Sequence, residues 1–158
     1  MSENRIRKTD TTQVHGPASA GIWVATNKSL KMNPDGTARD VGPIVFQTPL
    51  LAAASSSVYI GVAPFPMQII SAKATFSVAS TSGTAKVVKG AAGTAVASGT
   101  DMTATMSLAG TADTPVSATL HATAANLLIA AGEQIGVVLA GTLTNLANCT
   151  VTITFRQL

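Results

Sequence analysis

The sequence predicts an all-β protein, an antiparallel β-sandwich of about eight strands behind an extended N-terminal arm, and three observations predict it. From Cys149 to Phe155 apolar and hydroxyl side chains alternate without a miss, Cys149, Val151, Ile153 and Phe155 on one side, Thr150, Thr152 and Thr154 on the other. Only a half-buried strand has that two-residue period. From Ile44 onward, apolar runs return at turn-separated intervals of about 8–12 residues, the spacing of a sandwich or barrel. No segment shows a sustained helical period. The reading therefore has the chain finish inside a sheet.

Residues 1–43 are expected to form the arm and residues 44–158 the sandwich. The arm carries neither period and is punctuated by Gly16-Pro17, Asn33-Pro34-Asp35-Gly36 and Gly42-Pro43. In the second of these, Pro34 sets φ at one corner and Gly36 permits a positive φ after it. A short apolar patch, Ile22, Trp23 and Val24, holds the single Trp of the chain. It either docks on a partner or packs over its own domain.

In the sandwich, Val58, Ile60 and Val62 alternate with Tyr59 and Gly61, and Pro64-Phe65-Pro66 stops the ladder because proline has no N–H to donate. A long strand follows, with Ile70, Ala72, Ala74, Phe76 and Val78 on one face and Ser71, Lys73, Thr75 and Ser77 on the other. Ser80 to Thr84 reads as a turn, Ala85 to Lys89 as a strand and Gly90 to Thr94 as a loop. Thr103 to Leu108 is a strand with Ala104, Met106 and Leu108 on its apolar side. Val116 to His121, Leu127 to Ile129, Gln134 to Leu139 and Cys149 to Arg156 complete the set. Ala124 to Ala131 is ambiguous, and Ile129 to Gly132 has room for a helical turn.

Leu127 to Leu139, LLIAAGEQIGVVL, reads as a hairpin with Gly132 in the turn. Its second strand is apolar on both faces, Ile135, Val137 and Leu139 on one and Val138 beside Gly136 on the other. One face of an antiparallel sandwich strand meets the core, so the other lies under a loop or against another subunit. Val87-Val88 poses the same question, and a subunit is the expectation, with Val87, Val88 and Val138 in its interface.

Charged residues are 11% of the chain, against about 25% in ordinary globular proteins, and aromatics are 4%. A monomeric enzyme normally carries more charge. A core of Ala, Thr, Ser and Gly buries little area per residue, which favours oligomerisation. The net charge is +3, and ten of the seventeen charged residues lie in the first forty positions. Basic residues are not interleaved with aromatics, so nucleic acid is not the expected partner. Nor is a membrane, since no window approaches about 20 apolar residues. Residues 1–10 are polar and charged, unlike a signal peptide.

The residues from Met67 to Leu158 resemble the jelly-roll decoration, or cement, proteins on the heads of tailed bacteriophages. The likeness lies in the strand and Ser/Thr/Gly-rich turn from Ile69 to Thr84, Leu-Ala-Gly-Thr at Leu108 to Thr111, and the glycine turn within Leu127 to Leu139. It continues through Ala-Gly-Thr-Leu at Ala140 to Leu143 and the terminal alternating strand. Glu133 and Gln134 depart from the family's acidic-basic pair. The resemblance implies a homotrimer on the capsid exterior, made in the host cytoplasm, with the major capsid protein as partner. The arm then makes the capsid contact through Ile22, Trp23, Val24, Arg5, Arg7 and Lys8. Alternative readings are a host- or glycan-binding knob on the virion and a small self-assembling coat protein.

Chemistry-bearing residues are few. Cys149 is the single cysteine and reads as a buried hydrophobe, pointing away from the side of His121. Asp101, Asp113 and Glu133 all fall in turns, where carboxylates are common. His15, His121 and one thiol do not make a zinc set, and Gly90-Ala91-Ala92-Gly93-Thr94 lacks the Lys and following helix of a phosphate loop. The expectation is a non-enzyme without metal or cofactor.

Overall fold

The computed structural model describes residues 42–158 and the backbone of 31–32 and 38–39. Strands β1 (Lys31–Met32) and β2 (Ala38–Arg39) pair antiparallel, Lys31 opposite Arg39, on either side of the Asn-Pro-Asp-Gly sequence.

Residues Pro43–Leu158 form a unit of their own with ten strands. These are β3 (Ile44–Gln47), β4 (Val58–Val62), β5 (Met67–Thr75), β6 (Thr84–Gly90), β7 (Thr100–Asp101), β8 (Met106–Ser107), β9 (Val116–Ser117), β10 (Leu128–Ile129), β11 (Gln134–Ala140) and β12 (Thr150–Gln157). Two single 3-10 turns, Val96–Ser98 and Ala124–Leu127, join them. One sheet runs β10-β5-β12-β3, with β9 also on β5, and the other runs β4-β11-β6-β7, with β8 also on β6. Every pairing is antiparallel. The fold is thus the all-β sandwich that the two-residue period requires.

The alternation of the last strand survives intact. Val151, Ile153 and Phe155 are buried and the threonines between them face outward, where the hydroxyls of Thr75 and Thr150 lie 3.0 Å apart. Inner residues of both sheets, among them Met67, Ile69, Phe76, Val87, Ile135 and Val137, share one core with them.

Two expected alternations are broken by bulges. The pairing of β5 with β12 slips between Thr154 and Phe155, so Ile70 is left over and 43% exposed while Ile69 and Met67 turn inward. An extra residue in one strand reverses the faces beyond it, so the inward set is Met67, Ile69, Ala72, Ala74 and Phe76. Val78, also expected inward, is exposed beyond the strand end. In β4 the slip falls at Ile60, opposite the Ile135/Gly136 step. Gly61 thereby shares the inner side with Ile135, and Val62 stands on the outer side at 53% exposure.

The expected hairpin from Leu127 to Leu139 is corrected. β10 joins β5 in one sheet and β11 lies between β4 and β6 in the other, so the segment crosses from sheet to sheet. Its turn is nevertheless built as read, with Gly132 at φ 85°. The Glu133 carboxylate accepts the N–H of Ala130 at 2.6 Å, which gives this acid a local role. The strand expected over Thr103 to Leu108 is reduced to β8, with Ala104 exposed and Met102 and Thr103 buried in its place. The helical turn of this stretch falls at Ala124–Leu127, ahead of the expected Ile129.

Candidate interaction surfaces

Among the described residues, Cys149, His121 and Asp101 are engaged in structure. Cys149 is fully buried, its N–H bonded to the carbonyl of Leu51 at 2.9 Å. His121 accepts the N–H of Thr123 on Nδ1 at 3.0 Å, and no hydrogen bond joins it to Cys149. Asp101 pairs with Lys86 at 2.8 Å, and Asp113 sits at φ 57° in a turn, its N–H on the carbonyl of Phe76. Among the described residues no three His, Cys, Asp or Glu side chains are grouped to hold a metal, and no helix is long and apolar enough to cross a membrane.

Burial raises the Cys149 thiol from 9.0 to about 11. A folded pKa above the unfolded one means the unfolded chain loses its proton first, so stability falls as pH rises from 9 towards 11. The full shift corresponds to about 2–3 kcal/mol. Below pH 8, Cys149→Ala is expected to be less stable by about 1 kcal/mol, the packing of one small side chain. Urea unfolding at pH 8 and pH 11 checks both: the variant should lose less stability than the parent between the two, and equal losses would place the thiol in solvent.

The middle of the second sheet's outer face, around Gly136 and Val88, is covered by the chain itself. A Cβ on Gly136 would meet Val96 Cγ2 at 2.6 Å and Tyr59 Cδ1 at 2.9 Å, and one on Gly99 would meet Val88 Cγ2 at 2.9 Å. The Tyr59 hydroxyl donates to the Thr94 carbonyl at 2.9 Å, holding the segment between β6 and β7 over this face. Val88 is buried beneath it and Val87 is buried in the core, both at 0% exposure. Val87 and Val88, expected in a subunit interface, are buried within their own chain, Val88 under this loop. Val138 remains half-buried.

The first sheet's outer face is bare among the described residues. Four cross-strand rows define it: Thr150 and Thr75; then Gln47, Thr152, Lys73 and Ser117; then Val45, Thr154 and Ser71; then Arg156, Gln68 and Leu128. The last two rows and the bulge between them hold Val45, Ile70 and Leu128, which are 56%, 43% and 40% exposed. Arg156 donates to the Gln68 amide oxygen at 2.9 Å. Lys73 is the second cation of the face, and no acid lies in these rows. Sequence reading missed this patch, since Ile70 was placed in the core and β3 was not resolved as a strand. The uncharged stretch around β3 was the available signal.

Ile22, Trp23, Val24, Arg5, Arg7, Lys8 and His15 lie outside the described residues.

No protein-family model matches the chain, and no curated protein matches it. Among solved structures it is similar to a chain of the cyanophage Pam1 capsid asymmetric unit, at 16% identity and a TM-score of 0.39, over 73% of this chain and 85% of that one.

Proposed function

We propose that this chain is a structural virion protein that decorates and stabilises a phage capsid as a homotrimer, with a jelly-roll sandwich standing on the lattice. The arm, residues 1–43, makes the contact with the major capsid protein. The observation that carries the reading is the bare outer face of the first sheet: hydroxyl and amide rows, three exposed apolar residues, two cations and no acid. Such a surface has nothing to react with a substrate and suits contact between proteins. The reading assigns no catalytic, metal or cofactor role. A glycan-binding knob fits less well, because Tyr59, the one tyrosine, is turned onto Thr94 and Gly136.

Co-sedimentation with undecorated capsids of the phage that encodes the chain is the test. The full chain should sediment with them, and a variant starting at Ile44 should keep its β-sheet spectrum yet stay in the supernatant. Trp23→Ala is expected to weaken attachment by tenfold or more and Arg5→Ala by less, because a desolvated aromatic anchor outweighs a rim charge. Equal decoration by the shortened chain would move the contact to the sandwich, and absence of binding by the full chain would end the decoration reading.

A further inference from the structure

β3 and β4 are the outermost strands of their two sheets and face each other along one border of the sandwich. The Phe46 ring of β3 lies over Gly61 of β4, where an added Cβ would stand 2.6 Å from Cε1. Glycine is what lets the two edges close on each other.

Among the described residues the β3 edge has no partner beyond β12. Thr48 donates its N–H to the Val151 carbonyl at 3.0 Å, and by antiparallel alternation Phe46 and Ile44 also bond towards β12. The N–H and C=O of Val45 and Gln47 therefore point away from β12, with no partner strand among the described residues. Natural edges are protected by shortness, charge, proline or a bulge. β7 and β10 have two residues each, Lys86 and Asp101 pair beside β7, and β4 carries its bulge at Ile60. β3 is short, four residues between Pro43 and Pro49, but within that span it carries no charge, no proline and no bulge, its register with β12 being regular.

The border is also apolar. The three most exposed large hydrophobic residues among those described are Leu50 at 67%, Val45 at 56% and Val62 at 53%, the first two on or just after β3 and the third on β4. From Val41 to Ala72 the sequence has no charged residue in 32 consecutive positions. Next to a rotation axis a side chain approaches its own images, so a charge at the axis would face a like charge. An uncharged border is suited to line such an axis.

Building on the homotrimer proposed above, we infer that copies of this chain meet around their three-fold axis along the β3/β4 border. The β3 side of one copy, with Val45 and Leu50, seats against the β4 side of the next, with Val62. Val45 stands on the outer face of one sheet and Val62 on that of the other, so each copy offers one side to each neighbour, as a head-to-tail ring requires.

Light scattering after size exclusion of the full chain at micromolar concentration tests this. The parent should run as a trimer, and Val45→Lys and Val62→Glu should each raise the concentration for half-dissociation at least tenfold. The double variant carrying both should recover the trimer, because Lys then meets Glu across every head-to-tail contact. Leu128→Lys, at the opposite edge of the first sheet, should not change the mass. Amide exchange needs no variant: Val45 and Gln47 should be protected in the trimer and exchange freely on dilution. Trimers that survive both single substitutions, or free exchange of those amides in the trimer, overturn this surface and leave the trimer standing. Failure of the double variant to recover overturns the head-to-tail arrangement. A monomeric parent overturns the surface and the trimer together.

Discussion

Phe155→Ala is expected to lower the thermal midpoint of the sandwich by about 10–20 °C, from a loss of about 3–5 kcal/mol. Phe155 has no exposed surface and lies in register with Ile69 on one side and Ile44 on the other, in a strand with neighbours at both edges. Its ring meets Phe46 edge to face at 5.8 Å, a contact that adds about 1 kcal/mol to burial alone. With aromatics at 4% of the chain, there are few large side chains to move in and fill the void. A typical domain has only about 5–15 kcal/mol in total, so one ring is a large share. Circular dichroism during heating measures it, and a fall of under 3 °C would mean the ring is not between the sheets.

Gly141→Ala is expected to cost about 2–4 kcal/mol, the second largest effect. Gly141 has φ 74°, and a Cβ there would press on the backbone carbonyl oxygen of Ser82. Backbone cannot rotate aside as a side-chain tip can. Moving it would loosen the bonds from Ser82 N–H to the Thr142 carbonyl and from Thr81 N–H to the Thr144 carbonyl, both 3.1 Å. Gly132 supplies the comparison, with φ 85° and nothing within 4 Å of an added Cβ. Gly132→Ala should cost only the conformational part, about 1–2 kcal/mol. Equal denaturant midpoints for the two variants would show that the Ser82 contact is absent.

Legibility in the sequence followed the range of the interaction that decides each feature. The last strand was readable residue by residue because a regular strand buries every second side chain and its register carries no slip from Thr150 to Thr154. The turn at Gly132 was readable because a positive φ is a local demand. Ile70 and Ile60 were not, since a bulge is a mismatch between two strands, and one strand's sequence does not record where its partner has one residue fewer. The covering of Val88 and Gly136 was illegible for a related reason: Gly99, Val96 and Tyr59 come from segments outside the strands they protect.

The candidate site divides in the same way. Poverty of charge and of reactive groups is a property of composition, and it pointed to a protein-binding surface before any fold was known. Which face would be bare was decided only when the segment after β6 folded over one sheet and left the other uncovered. By itself the sequence determined that this chain is a β-sandwich with inward residues on most strands, because two-residue periodicity and turn chemistry act within a few positions. Tertiary structure alone decided that Leu127 to Leu139 crosses between sheets and that β3 and β4 share a border, because strand pairing is a contest among distant segments, won by the arrangement that buries the most apolar surface with its backbone groups bonded.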